Sequence, residues 1–204
     1  GSGGSWGAAS ICSAAYLACL ALRETLAKRA DVSEENLELK DGALVGGASL
    51  VDLLDGQDLA EEGHYEPGDI ADDFTAAGFG AFFAKVRVNS FTGETRVQHM
   101  TGAFGFGRVL NAKTARSQCL GGMTWSIGAA LTEAMLFDPV DGHLANCDLA
   151  EYHVPVNRDV PDLDVLFVEE RDGAASPIQA KGIGELGMCG GSGAIANAIY
   201  NACG

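Results

Sequence analysis

Apolar residues recur at helical spacing from residue 8 to residue 30, through Ile11, Ala15, Leu17, Leu20, Leu22 and Leu26. Arg23, Lys28 and Arg29 fall late in that stretch, where the helix dipole favours cations. Ser5 or Ser10 is placed to cap its start. Residues 36–45 read as a hairpin turning at Asp41-Gly42, and a short helix follows near 49–55. The acidic, polar run 57–73, with Pro67-Gly68, reads as a loop. Across 79–90, Phe82, Ala84, Val86 and Val88 alternate with Phe83, Lys85, Arg87 and Asn89, the pattern of a half-buried strand. Thr92-Gly93 turns the chain, and 94–101 returns as its partner. The spacing predicts a helix over 111–136, stopped by Phe137-Asp138-Pro139. A strand over 163–170, a loop over 171–187 and a small-residue helix over about 190–202 complete the pattern. Long helices mixed with hairpins predict an α+β fold, with residues 1–204 forming a single region.

Composition narrows the function. The chain has 204 residues, 47% of them apolar, enough for a substantial core. Its net charge of −15 argues against nucleic acid or an anionic membrane surface as partner, since both call for clustered cations. No signal peptide or membrane-spanning segment is expected. The 28 glycines are about twice the usual share, so close backbone approaches are expected. Cys12, Cys19, Cys119, Cys147, Cys189 and Cys203 are scattered without a CxxC pair, most in apolar or Gly/Ala surroundings, and read as buried free thiols. His64, His99, His143 and His153 lack metal-ligand spacing and read as structural or solvated. The chain opens and closes in what looks like interior sequence, so a longer polypeptide is expected.

The chemistry concentrates in Lys181-Gly182-Ile183-Gly184-Glu185-Leu186-Gly187, where one carboxylate stands among glycines. A carboxylate so placed can have its proton affinity tuned, as a catalytic base requires. It can equally sit beside the positive end of the last helix as a simple cap. Gly182-x-Gly184-x-x-Gly187 also matches a dinucleotide-binding spacing. Against that reading, the expected strand ends well before Gly182, and a charge inside the fingerprint suits a pyrophosphate badly. Gln118, early in a helix, reads on its own as an exposed polar residue. The opening glycines read as a linker, although linkers rarely carry a Trp.

Three segments in order are more specific than any one alone: Gly-Gly-Ser-Trp-Gly-Ala-Ala-Ser at 3–10, Ala-Arg-Ser-Gln-Cys-Leu-Gly-Gly at 115–122, and Lys-Gly-Ile-Gly-Glu at 181–185 ahead of Ala-Ile-Ala-Asn-Ala-Ile-Tyr-Asn-Ala at 194–202. Together they resemble the molybdenum hydroxylases, the xanthine dehydrogenase and aldehyde oxidase family. The likeness is to the C-terminal part of the molybdopterin-binding large subunit, in wording similar to bacterial aldehyde oxidoreductases. It implies a lobe of mixed sheet and long helices. The implied reaction is oxidation of an aldehyde to a carboxylic acid, with water as oxygen source. A purine-type hydroxylase and a non-catalytic packing module stand as alternatives, with a nicotinamide-binding domain behind them.

The resemblance assigns Glu185 as the base that takes a proton from a molybdenum-bound hydroxyl. It assigns cofactor contacts to Gly4, Ser5, Trp6, Ala8, Ala9, Ser10, Cys12, Gln118, Lys181, Gly182 and Ile183, and no protein ligand to the molybdenum itself. The implied cofactor is a molybdenum–molybdopterin cytosine dinucleotide. The [2Fe–2S] centres and FAD would lie on partner chains or domains. The implied partners are the remaining N-terminal part of the large subunit, an iron–sulfur subunit and an FAD subunit.

Overall fold

The computed structural model describes residues 3–67 and 70–204. It is built as α1 (Trp6–Ala30), β1 (Leu39–Lys40), β2 (Ala43–Leu44), α2 (Leu50–Leu54), α3 (Ile70–Asp73), β3 (Phe79–Val88), β4 (Thr95–Gly105), α4 (Ala112–Leu131), β5 (Asp162–Phe167) and α5 (Gly191–Cys203). The expected α+β class is what forms.

The larger core lies on one face of a three-stranded sheet of order β3-β4-β5. β3 and β4 are antiparallel, and β4 and β5 are parallel. The alternation read in β3 puts Phe82 and Ala84 opposite Gly102 and Met100 on the inner face. Leu163, Val165 and Phe167 continue that face through β5. α4 and α5 cover it, and Met100, Phe104, Cys119, Met123, Ile127 and Ile195 are fully buried there. Each such large side chain contributes about 1.5–3 kcal/mol by leaving water. Phe82 meets Phe104 edge-on with centroids 5.3 Å apart, an orientation the ring quadrupoles favour.

A smaller core of Leu26, Ala27, Leu37 and Leu44 joins the C-terminal half of α1 to the β1–β2 hairpin. The hairpin turns where expected, because Asp41 and Gly42 both take positive φ, 51° and 78°. Arg23 reinforces this unit by donating to the carbonyls of Glu34 and Leu37.

Several boundaries differ from those predicted. No side chain caps α1: Ser5 stands at its N-cap with φ 65° but makes no capping bond, and Ser10 donates to Gly7 O inside the helix. The Ser13 hydroxyl is buried without a partner among the described residues. α4 begins as expected at Asn111, whose side chain accepts from the amides of Lys113 and Thr114. It ends at Leu131 rather than 136, because the amides of Thr132 and Glu133 both donate to Gly128 O. Asn146 then holds the following segment extended, accepting from Leu136 N and donating to Ala134 O. β4 runs four residues past its predicted end, carried by its pairing with both β3 and β5. The predicted loop 57–73 contains the single turn of α3, and the Gly68 half of the Pro67-Gly68 signal lies outside the described residues.

Contrary to the expectation of no spanning segment, α1 is long and apolar enough over Gly7–Ala30 to cross a membrane by length and composition, and within that stretch Ser13, Leu26 and Ala27 are buried. Ile11, Tyr16 and Leu20 on α1 are exposed, and of the six thiols expected to be buried only Cys119 is. Gly63 crosses α1 so close to the backbone of Ala14 and Ala18 that no Cβ fits.

Candidate functional site

The three sequence segments meet at the N-terminus of α1. The amide of Gly184 donates to Gly4 O at 2.8 Å. A Cβ on Gly184 would lie 2.6 Å from the Gly4 carbonyl carbon, so only glycine permits the approach. The 181–187 segment also lies against α4. A Cβ on Gly122 would fall 2.6 Å from the Gly187 carbonyl carbon, and one on Gly187 would fall 2.7 Å from Cys119 O. Ser126 ties the same seam, donating to Gly122 O and Met188 O. These glycines therefore serve contact between segments of the chain itself, a different use from the cofactor clearance that their pattern suggests.

Glu185 opens the short 3₁₀ turn Leu186–Met188 without capping it, and α5 begins six residues later, at Gly191. The simple capping reading therefore fails. Its carboxylate is turned toward Gly4, with Oε2 3.9 Å from where a Gly4 Cβ would stand, and it is exposed.

Beside this junction is a cleft of about 380 Å³ lined by Ser5, Ala8, Ala9, Gln118, Lys181 and Ile183 among others. Six of the residues singled out from sequence thus share one cavity. Ser10 and Gly182 line a neighbouring hollow of about 280 Å³, together with Ala9 and Lys181. Gly4 stands at the Glu185 junction, Cys12 lines neither cavity, and the Trp6 side chain lies outside what the structure describes. The cleft also takes Phe106, Arg108, Asn111 and Thr114, which the sequence reading missed. Arg108 is the one cation in the apolar run 103–110, and that was the available signal. A larger hollow of about 510 Å³, lined by Arg96, Thr132 and Arg158, gathers none of the expected residues.

Lys181 is almost fully buried, and its ammonium sits 2.7 Å from Glu170 Oε1 and 2.8 Å from Asp172 Oδ2. Burial alone would lower the Lys181 pKa, but the hydrogen bonds its ammonium donates to Asp172 and Glu170 outweigh it and the value is raised. The same ammonium holds Glu170 and Asp172 below their usual range. Glu170 Oε2 also accepts from Gly107 N at 2.9 Å.

The expected metal reading of the histidines needs one addition. Asp138, Asp141 and His143 bring their ligating atoms within 4.8 Å of one another on an exposed loop. Asp138 there accepts from Val140 N, and Asp141 pairs with His143, which accounts for the cluster as loop structure.

The chemistry of the cleft fits an anionic, phosphate-bearing cofactor. The uncapped first turn of α1 presents its amides and its positive dipole end. Ala8 and Ala9 leave room for close approach, and Gln118 and Arg108 supply donors.

Comparison with known proteins agrees. Residues 1–161 match the family model of the molybdopterin cofactor-binding domain. The chain is 44% identical over 207 residues to the aldehyde oxidoreductase molybdenum-binding subunit PaoC of Escherichia coli (strain K12), covering all of this chain and 28% of that protein. It is 37% identical over 136 residues to the probable hypoxanthine oxidase XdhD of the same organism, covering 66% of this chain and 14% of XdhD. Among solved structures, a reconstituted CO dehydrogenase from Oligotropha carboxidovorans superposes with a TM-score of 0.77 at 19% identity, over 99% of this chain and 27% of that one. At that identity the match speaks for the fold alone. The chain spans under a third of the length of these relatives. With the whole length matched at 44% identity and the family model covering most of it, the chain belongs to the molybdopterin cofactor-binding domain family of the molybdenum hydroxylases.

Proposed function

We propose that this chain is the part of a molybdenum hydroxylase that supplies the catalytic base and one wall of the cofactor cleft, in an enzyme oxidising aldehydes to carboxylic acids. The carrying observation is the junction of Gly4, Gly184 and Glu185 beside a cleft lined by Ser5, Ala8, Ala9, Gln118, Lys181 and Ile183. The similarity to PaoC, named an aldehyde oxidoreductase subunit, supports the aldehyde substrate. The similarity to XdhD, named a probable hypoxanthine oxidase, covers less of the chain and supports a purine substrate as the second reading.

In this reading the α1 amides, Gln118 and the backbone around Gly182 and Ile183 hold a molybdopterin cofactor, in its cytosine dinucleotide form. When bound, that group supplies the redox and oxygen-transfer chemistry. The chain's own contribution is positional and protonic. Glu185 accepts a proton on its carboxylate, and the Gly4–Gly184 hydrogen bond fixes where that carboxylate stands. The remainder of the large subunit covers the exposed apolar side of α1 and the outer sheet face, where Phe79, Phe83 and Leu166 stand in solvent. Electrons leave to iron–sulfur and FAD centres on partner chains.

The test is Glu185→Gln in the complete subunit assembled with its partners, assayed on benzaldehyde and on hypoxanthine, with molybdenum and pterin content measured alongside. Turnover falls by on the order of 10²–10⁴ while cofactor content holds. Near-normal turnover refutes the base assignment. Preference for hypoxanthine in the unmutated enzyme refutes the aldehyde assignment.

A further inference from the structure

Lys181 begins the segment that carries Glu185, yet its charge is spent inside the protein. Its ammonium lies between Glu170 and Asp172, and its amide donates to Phe106 O at 2.9 Å. Gln179 O accepts from Arg108 N at 2.7 Å, and Gly107 bridges Ala180 in antiparallel fashion. The other oxygen of Glu170 takes the Gly107 amide, and the other oxygen of Asp172 takes the Ala174 amide at 3.1 Å. Three separate pieces of backbone, residues 105–108 at and just past the end of β4, the 170–174 turn and the 179–182 loop, are therefore fastened by one charge cluster whose ammonium is buried and whose two acids are partly exposed. An ammonium left unpaired at such depth would be strongly destabilising, so the cluster stays closed as long as both acids are ionised. Three residues beyond Lys181 comes Gly184, whose hydrogen bond to Gly4 sets the Glu185 carboxylate.

We infer that Glu170 and Asp172 are positioning residues for Glu185, acting through Lys181. Lys181 is thereby assigned to anchoring the loop, and its charge is withheld from the anionic cofactor. This rests on the reading of Glu185 as the base.

The experiment uses the complete subunit with its partners and compares Glu170→Gln, Asp172→Asn and the double variant with the parent. Amide hydrogen exchange is read by mass spectrometry on peptides spanning 179–190 and on core peptides from α4 and α5. Molybdenum content, kcat and KM on benzaldehyde are measured in parallel. The double variant should exchange on the order of tenfold faster across 179–186, with the core peptides unchanged. Its kcat should fall by on the order of 10², with KM and molybdenum content unchanged, as expected for a displaced base. Each single variant, which keeps one carboxylate on Lys181, should show an intermediate effect even if the double variant folds poorly. Unchanged exchange across 179–186 overturns the inference. Loss of molybdenum in the single variants also overturns it, by assigning the cluster to cofactor retention. Glu185→Gln run alongside separates the two readings: if it keeps full turnover, the base assignment fails, while the exchange data still judge the anchor.

Discussion

Gly121 and Gly122 are adjacent on α4, and alanine should have opposite effects at the two positions. A Cβ on Gly121 meets nothing within 4 Å, so Gly121→Ala simply removes a poor helix former and should stabilise by about 0.5–1 kcal/mol. A Cβ on Gly122 meets the Gly187 carbonyl carbon at 2.6 Å and both the Gly187 Cα and the Met188 amide nitrogen at 2.8 Å. These are backbone atoms that cannot rotate away, and the contact is roughly 0.8 Å too short, so the seam must open. Overpacking of this kind costs about 1–3 kcal/mol, against a helix gain of about 1 kcal/mol. The two variants should therefore differ by about 1–3 kcal/mol in denaturant unfolding of the complete subunit. Glu185 lies two residues before Gly187, so a shift approaching 1 Å should also lower kcat by on the order of 10² in Gly122→Ala. Gly121→Ala should leave kcat unchanged. Equal unfolding midpoints for the two variants would refute the backbone-to-backbone seam. Equal stability loss with unchanged kcat would refute its link to Glu185.

Two further outcomes follow from the buried groups. Glu170 and Asp172 have lowered pKa values, so their contribution is present above the ordinary values of 4.5 and 3.8 and is lost as pH falls through the lower folded values. Lys181 is raised, so its contribution is complete below 10.5 and is lost as pH rises through the folded value. Lys181→Met should consequently lower Tm most between about pH 5 and pH 10 and converge with the parent at both extremes; a constant gap across thermal melts from pH 3 to 11 would contradict this. Burial pushes the Cys119 thiol up to about 11 despite the nearby Arg116. Cys119 should stay unmodified by iodoacetamide at pH 8 until the protein is unfolded, and peptide mapping that finds it alkylated in the native state would be inconsistent with its packing.

Periodicity and turn chemistry made much of the architecture legible. α1, the Asp41-Gly42 hairpin and the Asn111 start of α4 are local events with local signals. The end of α4 was not, because Pro139 marks a stop while the chain leaves the helix at Gly128–Glu133 and is held extended by Asn146, a long-range partner. The extra length of β4 was legible in part, since residues 102–105 pair with Phe79–Phe82 of the strand already read, while parallel pairing with β5 joins it to a strand far along the chain. At the site, the convergence of 3–10, 115–122 and 181–185 was implied by the family resemblance that the three segments carry together, and not by any local pattern in them. The fate of Lys181 was not, since nothing in its neighbourhood announces that Glu170 and Asp172, across a loop, will absorb its charge. The glycines show the same limit. Sequence reports freedom to approach something closely, and only the fold says that the something is another stretch of backbone.

The two separate cores have a consequence for how such an enzyme would fail. The cleft lies where α1, rooted at its far end in the Leu26–Leu44 core, reaches the larger core around Phe104 and Met123. The smaller core has far fewer side chains to hold it, so it sets the lower free energy of local opening. Heating or mild denaturant would release α1 while the sheet and α4–α5 persist, and the Gly4–Gly184 bond would break with it. Within this part of the subunit, opening at the Glu185 junction would then precede unfolding of the larger core, and the cover that the rest of the subunit lays over α1 would be what holds the junction closed.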